Sequence, residues 1–358
     1  MAVYPESETD RRVKADALRD VVSAMFQACG MSMEDAQALA DSLVRADLRG
    51  IHSHGTLRVP EYVKKLTVDG VNPRGRPRLV SARGAALVVD GDNSMGQIGA
   101  AFAMRAAIER AREIGVAFAA VRGSNHCGAL DAYALMAVEA GMIGLAGTNA
   151  LPTMAPWGGA EKIVGINPLS MAFPADKAAA FCLDFAFGAT AHGKIRIYAQ
   201  KGSPIPDGWA FDVDGQPTID AGAALKGLIQ PIGQHKGVGL GMAIGMLSSL
   251  LSGAAYGTQS GNMVDGAKVG MDGHFLAAID VGAFEDPVRF RARVDEIIEE
   301  VHASRPAPGT KRLLVPGELE AELEAAYARD GIPLAAATLD GIVAAAAALG
   351  LDASGLAR

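Results

Sequence analysis

The amino-acid sequence predicts an α/β fold, and three observations carry that expectation. From Gly115 onward, short apolar runs bounded by glycine alternate with runs at helical spacing, as in a strand–helix repeat. Before this region and near the chain's end, the apolar residues instead recur at helical intervals. Polar, glycine-rich turns fall at the ends of the apolar strands, where sheet proteins commonly place ligand chemistry. With 358 residues, half of them hydrophobic and 20% charged, the chain can bury a large core and is not of the disordered class.

Taken in order, 12–29 places Leu18, Val21, Val22, Met25 and Phe26 on one helical side, and Gly30 stops the run. Ser32 caps a second helix, with Asp35 three residues on and Ala36, Leu39, Leu43 and Val44 facing inward. That pair delivers the chain into a polar turn at 50–54. Helical spacing resumes over 57–66, with Pro60 near its start, where a missing N–H costs little. Turns over 70–78 precede a strand at 85–90; the polar turn 91–94 then supplies a cap for a long helix, 98–114. A strand at 116–121, its polar outlet 123–128, a helix at 130–140 and a strand at 143–148 follow. Segment 151–174 is rich in Gly, Pro and Asn yet carries Trp157, Ile163, Val164 and Phe173, and it reads as ordered loops.

A strand at 181–185 is closed by the turn 188–194. The acids of 212–215 resemble the opening of a calcium loop, but the later glutamate ligand is missing, so calcium is rejected. The apolar stretch 238–251 carries Gly241 and Gly245 and follows Gly237; these glycines permit another element to approach closely. A strand at 275–281, an amphipathic helix at 287–302, a charged helix at 319–329 and an alanine-rich helix at 336–349 complete the chain. No internal repeat or coiled-coil heptad is present.

Charge and composition narrow the function classes. A formal net charge of -7 gives no general attraction to nucleic acid or anionic membrane. Three cysteines, at 29, 127 and 182, lack the close spacing of zinc or iron–sulfur sites, and their odd number argues against a secreted disulfide framework. The first twenty residues are polar and charged, unlike a signal peptide, and the apolar runs fall below the roughly 18 residues of a membrane span. These features read as a cytoplasmic protein.

The chemistry concentrates in two polar clusters. His52-Ser53-His54-Gly55-Thr56-Leu57-Arg58 sets two imidazoles beside a hydroxyl, with an arginine four residues after His54. Imidazole exchanges protons near neutral pH, and arginine holds a carboxylate with two parallel hydrogen bonds, which suits a small acid reacting at the neighbouring carbon. The bland reading is an N-cap serine and exposed histidines ahead of a short helix. Ser124-Asn125-His126-Cys127-Gly128 interrupts two apolar segments, and a histidine buried there needs partners. Thr190 and Lys194 in a glycine-bounded turn can bind phosphate or ribose, or simply face solvent. His235 and Lys236 at a helix entrance favour phosphate. Gly237-Val238-Gly239-Leu240-Gly241 is not a Rossmann fingerprint, because the third-glycine spacing and the downstream acid are missing.

In this order, the motifs resemble the type-2 malate/L-lactate dehydrogenase family, which also holds ureidoglycolate, sulfolactate and diketogulonate oxidoreductases and cyclic-imine reductases. The resemblance runs from about residue 12 to residue 345. It rests on Arg49 to Gly55 with Arg58, Ser124-Asn125-His126, Gly165-Ile166-Asn167-Pro168-Leu169, Asp184, Gly193-Lys194, Pro206 to Ala210, His235-Lys236-Gly237 and Pro316-Gly317-Glu318. It implies a non-Rossmann, mixed-sheet nicotinamide-binding domain over 76–289 and a largely helical domain made from 1–75 and 290–358, with the cleft between them. It also implies a homodimer, NAD or NADP as cofactor, and no metal.

On this resemblance Ser53, His54 and Arg58 lie in the substrate cleft with His126 close by. Thr190, His192, Gly193, Lys194, His235, Lys236, Gly237, Pro316, Gly317 and Glu318 lie near the dinucleotide. The chain departs from the family pattern at His235, where tyrosine is common, at Leu319, where arginine is common, and at Cys127, where an aromatic is frequent. Lys194 fits the hydroxy-acid branches better than the cyclic-imine reductases.

The expected reaction is hydride transfer between nicotinamide and C2 of a small 2-hydroxy or 2-oxo acid. His54 exchanges the proton, or His126 does so; Ser53 hydrogen-bonds the substrate or fixes the imidazole orientation, and Arg58 holds the carboxylate. Ureidoglycolate oxidation and cyclic-imine reduction are alternatives within the family. A metal-dependent hydrolase using His52, His54 and His126 is the alternative of a different class, and no partnered acidic ligand set accompanies it.

Overall fold

The computed structural model describes residues 10–200, 202–261 and 268–357; the polar start of the chain, residues 1–9, lies outside them. The first part of the chain forms β1 (Arg11–Val13), α1 (Ala15–Ala28), α2 (Met33–Leu48), two short 3-10 turns at His52–His54 and Thr56–Arg58, and α3 (Val59–Lys64). It continues through β2 (Arg78–Arg83), β3 (Ala86–Asp90), α4 (Gly96–Ile114), β4 (Val116–Ser124), α5 (Asp131–Glu139) and β5 (Ile143–Thr148). Short strands β6 (Pro152–Met154) and β7 (Val164–Gly165) precede β8 (Leu169–Phe173) and β9 (Phe181–Phe185). Next come α6 (His192–Gln200), β10 (Ala210–Phe211), β11 (Pro217–Thr218), α7 (Ala221–Lys226), β12 (Leu228–Ile229) and α8 (His235–Ser248). The chain closes with β13 (Asp272–Ile279), α9 (Pro287–Ala303), α10 (Glu318–Asp330), β14 (Ile332–Leu334) and α11 (Ala336–Ala348).

Seven strands form one mixed sheet in the order β2-β3-β4-β13-β5-β8-β9. Only β3 and β4 pair in parallel; the other neighbours are antiparallel. The strand–helix repeat of β4, α5 and β5 is therefore real but does not make adjacent strands, because β13 inserts between β4 and β5. His274 through Ala278 are buried, and the apolar run from Phe275 to Ala278 is what a strand covered on both faces requires. On one face α4 and α5 lay Ala103, Met104, Ala107 and Tyr133 against Val89, Val121 and Leu276. On the other, α8 brings Ile244 towards Phe275 in a core shared with Phe187 and Ile195.

The chain ends meet in a separate core. Leu18, Val22 and Phe26 of α1 pack with Leu39 and Leu43 of α2, Tyr62 of α3 and Tyr327, Leu339 and Ile342 from α10 and α11. β1 and β14 pair beside them, Val13 opposite Ile332. Ser32 caps α2 as expected, its Oγ accepting the Asp35 amide at 3.1 Å. Gly237 and Gly245 do permit close approach: an added Cβ would lie 1.8 Å from the Ile232 carbonyl oxygen and 2.5 Å from Asn167 Nδ2.

Several local expectations need correction. The 151–174 segment is not loop throughout; it contains β6, β7 and β8, whose glycine and proline flanks masked their brevity. The 91–94 turn does not cap α4 with a side chain: Ser94 Oγ donates to the Met95 carbonyl instead. Lys194 stands in the first turn of α6 and not in the turn before it. Strands β1 and β2 were also absent from the expectation.

The packing of α5 on β5 is tight at Gly144, where an added Cβ would come within 2.2 Å of the Ala134 carbonyl oxygen. Gly144→Ala should cost about 1–3 kcal/mol through overpacking, lowering the urea midpoint without changing the slope. Gly239, on α8 with open space around its Cα, is the control: Gly239→Ala should be neutral or stabilise by up to about 1 kcal/mol.

Candidate active site

The 52–58 turn is built on Asp47, a fully buried carboxylate in the last turn of α2. Its Oδ1 accepts from His52 Nδ1 at 2.8 Å, and its Oδ2 accepts from the Thr56 amide at 2.8 Å and the Thr56 hydroxyl at 2.6 Å. A buried carboxylate is tolerable only when its lone pairs are satisfied in this way. A Cβ at position 55 would sit 2.1 Å from Asp47 Oδ1, so the close approach requires glycine there. His52, although prominent in the sequence, turns its Nδ1 to Asp47. Among the described residues, no group of three or more His, Cys, Asp and Glu side chains is arranged to hold a metal ion.

The same turn presents Ser53, His54 and Arg58. Ser53 Oγ lies 3.0 Å from His54 Nδ1. Arg58 donates from Nε to the Ser53 carbonyl at 2.7 Å and from Nη1 to Glu61 at 2.8 Å, which fixes the guanidinium and leaves Nη2 for a further acceptor. His126, just beyond β4, meets this group from the sheet side: its ring stacks on that of His54 with centroids 5.6 Å apart. Its Nδ1 is 2.7 Å from Tyr62 Oη, which also takes a hydrogen bond from Gln97 Nε2 at 2.9 Å. His126 and Tyr62 border a small pocket shared with Lys65, Asn125 and Asp272. Asn125 braces the outlet, donating to the Ser94 carbonyl at 2.8 Å and accepting the Gly270 amide at 2.9 Å.

A buried ionic knot lies beneath. Arg49, two residues past Asp47, bonds Asp131 of α5 at 2.6 Å and Glu324 of α10 at 2.8 Å. Asp184 of β9 accepts the Asp131 amide at 2.8 Å, and burial followed by the Asp131 charge pushes it up to about 7. Arg49 and Asp184 stood out in the sequence as motif residues with no evident partner; the structure joins them through Asp131. Asp47, Tyr62 and Gln97 were missed. Tyr62 stands four residues after Arg58, one helical turn on, and that spacing was its available signal. Gln97 offered none.

Two of the three expected cofactor segments come together. Gly188 bridges to Pro231, the Ala189 amide donates to the Gln230 carbonyl, and the Ile232 amide donates to the Phe187 carbonyl. These bonds set Thr190 and the start of α6, with His192, Gly193 and Lys194, beside the segment leading into α8. Thr190 Oγ1 is buried with no hydrogen-bond partner, and Gly193 faces open space. His235 and Lys236 are exposed at the N-terminus of α8, whereas Gly237 is a packing residue. The third segment is anchored elsewhere. The Pro316 carbonyl accepts the Cys182 amide at 2.9 Å, Gly317 packs against Cys182, and Glu318 bonds the Val315 amide at 2.7 Å and His302.

Comparison with known proteins decides the family. A family profile described as malate/L-lactate dehydrogenase matches residues 13–343. The chain belongs to the malate/L-lactate dehydrogenase family. It is similar to the L-sulfolactate dehydrogenase of Methanocaldococcus jannaschii, with 38% identity over 86% of this chain and 89% of that one. The solved structure of sulfolactate dehydrogenase from that organism superposes with a TM-score of 0.91 at 36% identity, covering 97% of this chain and 100% of the other. A malate dehydrogenase of Pyrococcus abyssi shares 37% identity over 92% of each chain, and a ureidoglycolate dehydrogenase (NAD(+)) of Escherichia coli strain K12 shares 33% over 86% and 88%.

In this oxidoreductase the paired histidines rest neutral. Burial, and then the positive charge of Arg58, push His54 down to about 4; burial and then the His54 and Arg58 fields hold His126 well below the ordinary imidazole value. A ¹⁵N-histidine NMR titration should therefore show His54 uncharged until the pH approaches 4. Arg58→Gln removes the like charge, so the His54 midpoint should rise towards the ordinary value while burial keeps it below. A midpoint that stays put, or falls, would show that Arg58 does not act on this ring.

Proposed function

We propose that this protein is an NAD- or NADP-dependent dehydrogenase that interconverts a small 2-hydroxy acid and its 2-oxo acid. The observation that carries this reading is the His54–His126 stack beside the Arg58 guanidinium: two imidazoles next to a carboxylate anchor. A bound nicotinamide cofactor supplies the hydride acceptor or donor. The protein's part is to bind, orient and move one proton. Arg58 fixes the carboxylate through its guanidinium, which sets the hydroxyl-bearing carbon against the two imidazoles. Neutral His54 accepts the hydroxyl proton during oxidation and returns it during reduction. Binding of the carboxylate offsets the Arg58 field that depresses His54, so the substrate itself raises the basicity of the group that deprotonates it. Ser53 holds the His54 ring through Nδ1.

The cofactor side fits a dinucleotide. Thr190 Oγ1 is a buried hydroxyl in want of a partner, and Lys236, exposed beside His235 at the head of α8, adds a positive group. His192, Gly193 and Lys194 form the facing wall. The Pro316–Glu318 loop contributes through its hold on β9, at one remove. A ureido-bearing hydroxy acid is the second reading. Asp272, which burial holds up to about 7 in the pocket beside His126, suits a neutral hydrogen-bonding group.

We further propose two domains, 1–75 with 290–358 and 76–289, with the site in the cleft where the 52–58 turn meets the β4 outlet, and a homodimer. An exposed apolar stripe on and just beyond α8, including Leu240, Met246, Leu247, Leu250 and Leu251, supports the dimer. Three free, buried cysteines suit a reducing cytoplasm. Among the described residues, no helix is long and apolar enough to cross a membrane.

Fluorescence titration should saturate with NADH or NADPH in metal-free buffer, and failure with both in folded protein would remove the assignment. Turnover should then separate the two roles. Arg58→Ala should chiefly raise the substrate KM, by the equivalent of about 2–5 kcal/mol, with cofactor affinity little changed. His54→Ala should lower kcat by about 100- to 10,000-fold. A panel of pyruvate, oxaloacetate, diketogulonate and cyclic imines, with ureidoglycolate in the oxidative direction, identifies the acid. Sedimentation should give about twice the chain mass of 36.9 kDa; an active monomer would contradict the assembly and leave the chemistry standing.

A further inference from the structure

We propose that Tyr62 and Gln97 are positioning residues that lock neutral His126 as its Nε2–H tautomer, making it a hydrogen-bond donor to the substrate oxygen and leaving proton transfer to His54. The inference rests on the proposed dehydrogenase reading for its substrate, but its structural half stands apart from turnover.

The argument is an accounting of protons. Gln97 lies at the start of α4, is 3% exposed, and approaches Tyr62 Oη with its amide nitrogen at 2.9 Å. An amide NH₂ can only donate, so the phenol oxygen is the acceptor in that bond. Tyr62 has one hydrogen of its own, and the remaining close partner is His126 Nδ1 at 2.7 Å. The phenol therefore donates to Nδ1, which must carry a lone pair, and the ring proton sits on Nε2. Both donor groups are held by packing. Tyr62 is fully buried on α3, and Gln97 Nε2 fits against position 128, where an added Cβ would stand only 3.1 Å away.

The state of each group agrees with this direction. Burial raises the Tyr62 phenol well above its ordinary value, so it keeps its proton. A charged His126 would turn Nδ1–H against the phenol hydrogen while stacked on His54 and near Arg58, which is why it stays neutral.

The consequence divides the labour between two histidines that the sequence leaves equivalent. His126 has no free lone pair: Nδ1 is occupied by Tyr62, and Nε2 bears hydrogen. It cannot accept the substrate proton, but it can polarise a carbonyl or steady an alkoxide through Nε2–H. A neutral imidazole is suited to that task because it gives its hydrogen bond without surrendering the proton. His54 can point its Nδ1–H at Ser53 Oγ, 3.0 Å away, which leaves the Nε2 lone pair for proton exchange.

The test is the tautomer itself, read by long-range ¹H–¹⁵N correlation on protein labelled in histidine, without cofactor or substrate, with His126→Gln used for assignment. Wild type should show His126 with Nε2 protonated and Nδ1 bare. Tyr62→Phe should bring the two nitrogens towards a common, averaged shift, and Gln97→Met should do so partially. Gln97→Met also serves as the second variant if Tyr62→Phe does not fold. In turnover, Tyr62→Phe should lower kcat by about 10- to 100-fold with substrate KM and cofactor affinity little changed, the range found when a partner that orients a metal-bound histidine is lost. A wild-type His126 carrying its proton on Nδ1 would mean that Gln97 presents its carbonyl to the phenol, and it would overturn the proposal. So would a wild-type-like spectrum in both variants. A locked Nε2–H tautomer in protein that binds neither NADH nor NADPH would support the pairing and refute the dehydrogenase reading.

Discussion

The arrangement of the site depends on one buried carboxylate. Asp47 ends a helix whose inner face belongs to the core of the joined chain ends, and its two oxygens gather His52 and both hydrogen-bonding groups of Thr56. Those bonds close residues 52–56 into a fixed turn, and the turn decides where Ser53, His54 and Arg58 point. The carboxylate is paired within the protein, so it acts by geometry and leaves the chemistry to its neighbours. The Arg49 knot, two residues later, extends the same logic by tying the helix end to α5 and α10. Proposed chemistry on a short irregular turn is thus supported by elements with little freedom to move.

The other half of the site arrives on the sheet. His126 follows β4, and β4 is fixed by pairing with β3 on one side and β13 on the other. A second buried histidine, His274 on β13, joins Ser124 at 2.8 Å to Thr148 at 2.7 Å and so stitches β4 and β5 across the strand between them. Burial pushes His274 down to about 4, which suits a neutral ring held between two hydroxyls. The His54–His126 stack therefore spans two separately built cores, one of joined helices and one on the mixed sheet.

Most of the regular elements were legible in the sequence because each buries a recognisable face. The 3.6-residue spacing of Leu18, Val22 and Phe26 and the apolar strand from Ile143 to Thr148 are examples. Sheet order was not legible, since nothing in Phe275–Ala278 says that it will separate β4 from β5. Short strands such as β1 and β7 owe their form to distant partners and have no pattern of their own. At the site, the residue types that handle protons and anions could be read: Ser53, His54, Arg58 and His126 do converge. The groups that orient them could not. Asp47, Tyr62 and Gln97 lie inside ordinary helices, where an aspartate near a helix end or a glutamine in an alanine-rich segment carries no mark of its purpose.

The pairing of β1 with β14 has a consequence for how the molecule is made. Arg11 lies opposite Leu334, and the first helices share their core with α10 and α11. During synthesis α1 and α2 emerge well before α10 and α11, with their apolar faces ready and these packing partners still unmade. The sheet must wait as well, since β4 and β5 stand apart until β13 is made. Closing loops of this length is entropically slow and leaves apolar surface open meanwhile. The nascent chain therefore passes most of its synthesis without either core complete, a state in which chaperone capture competes with aggregation.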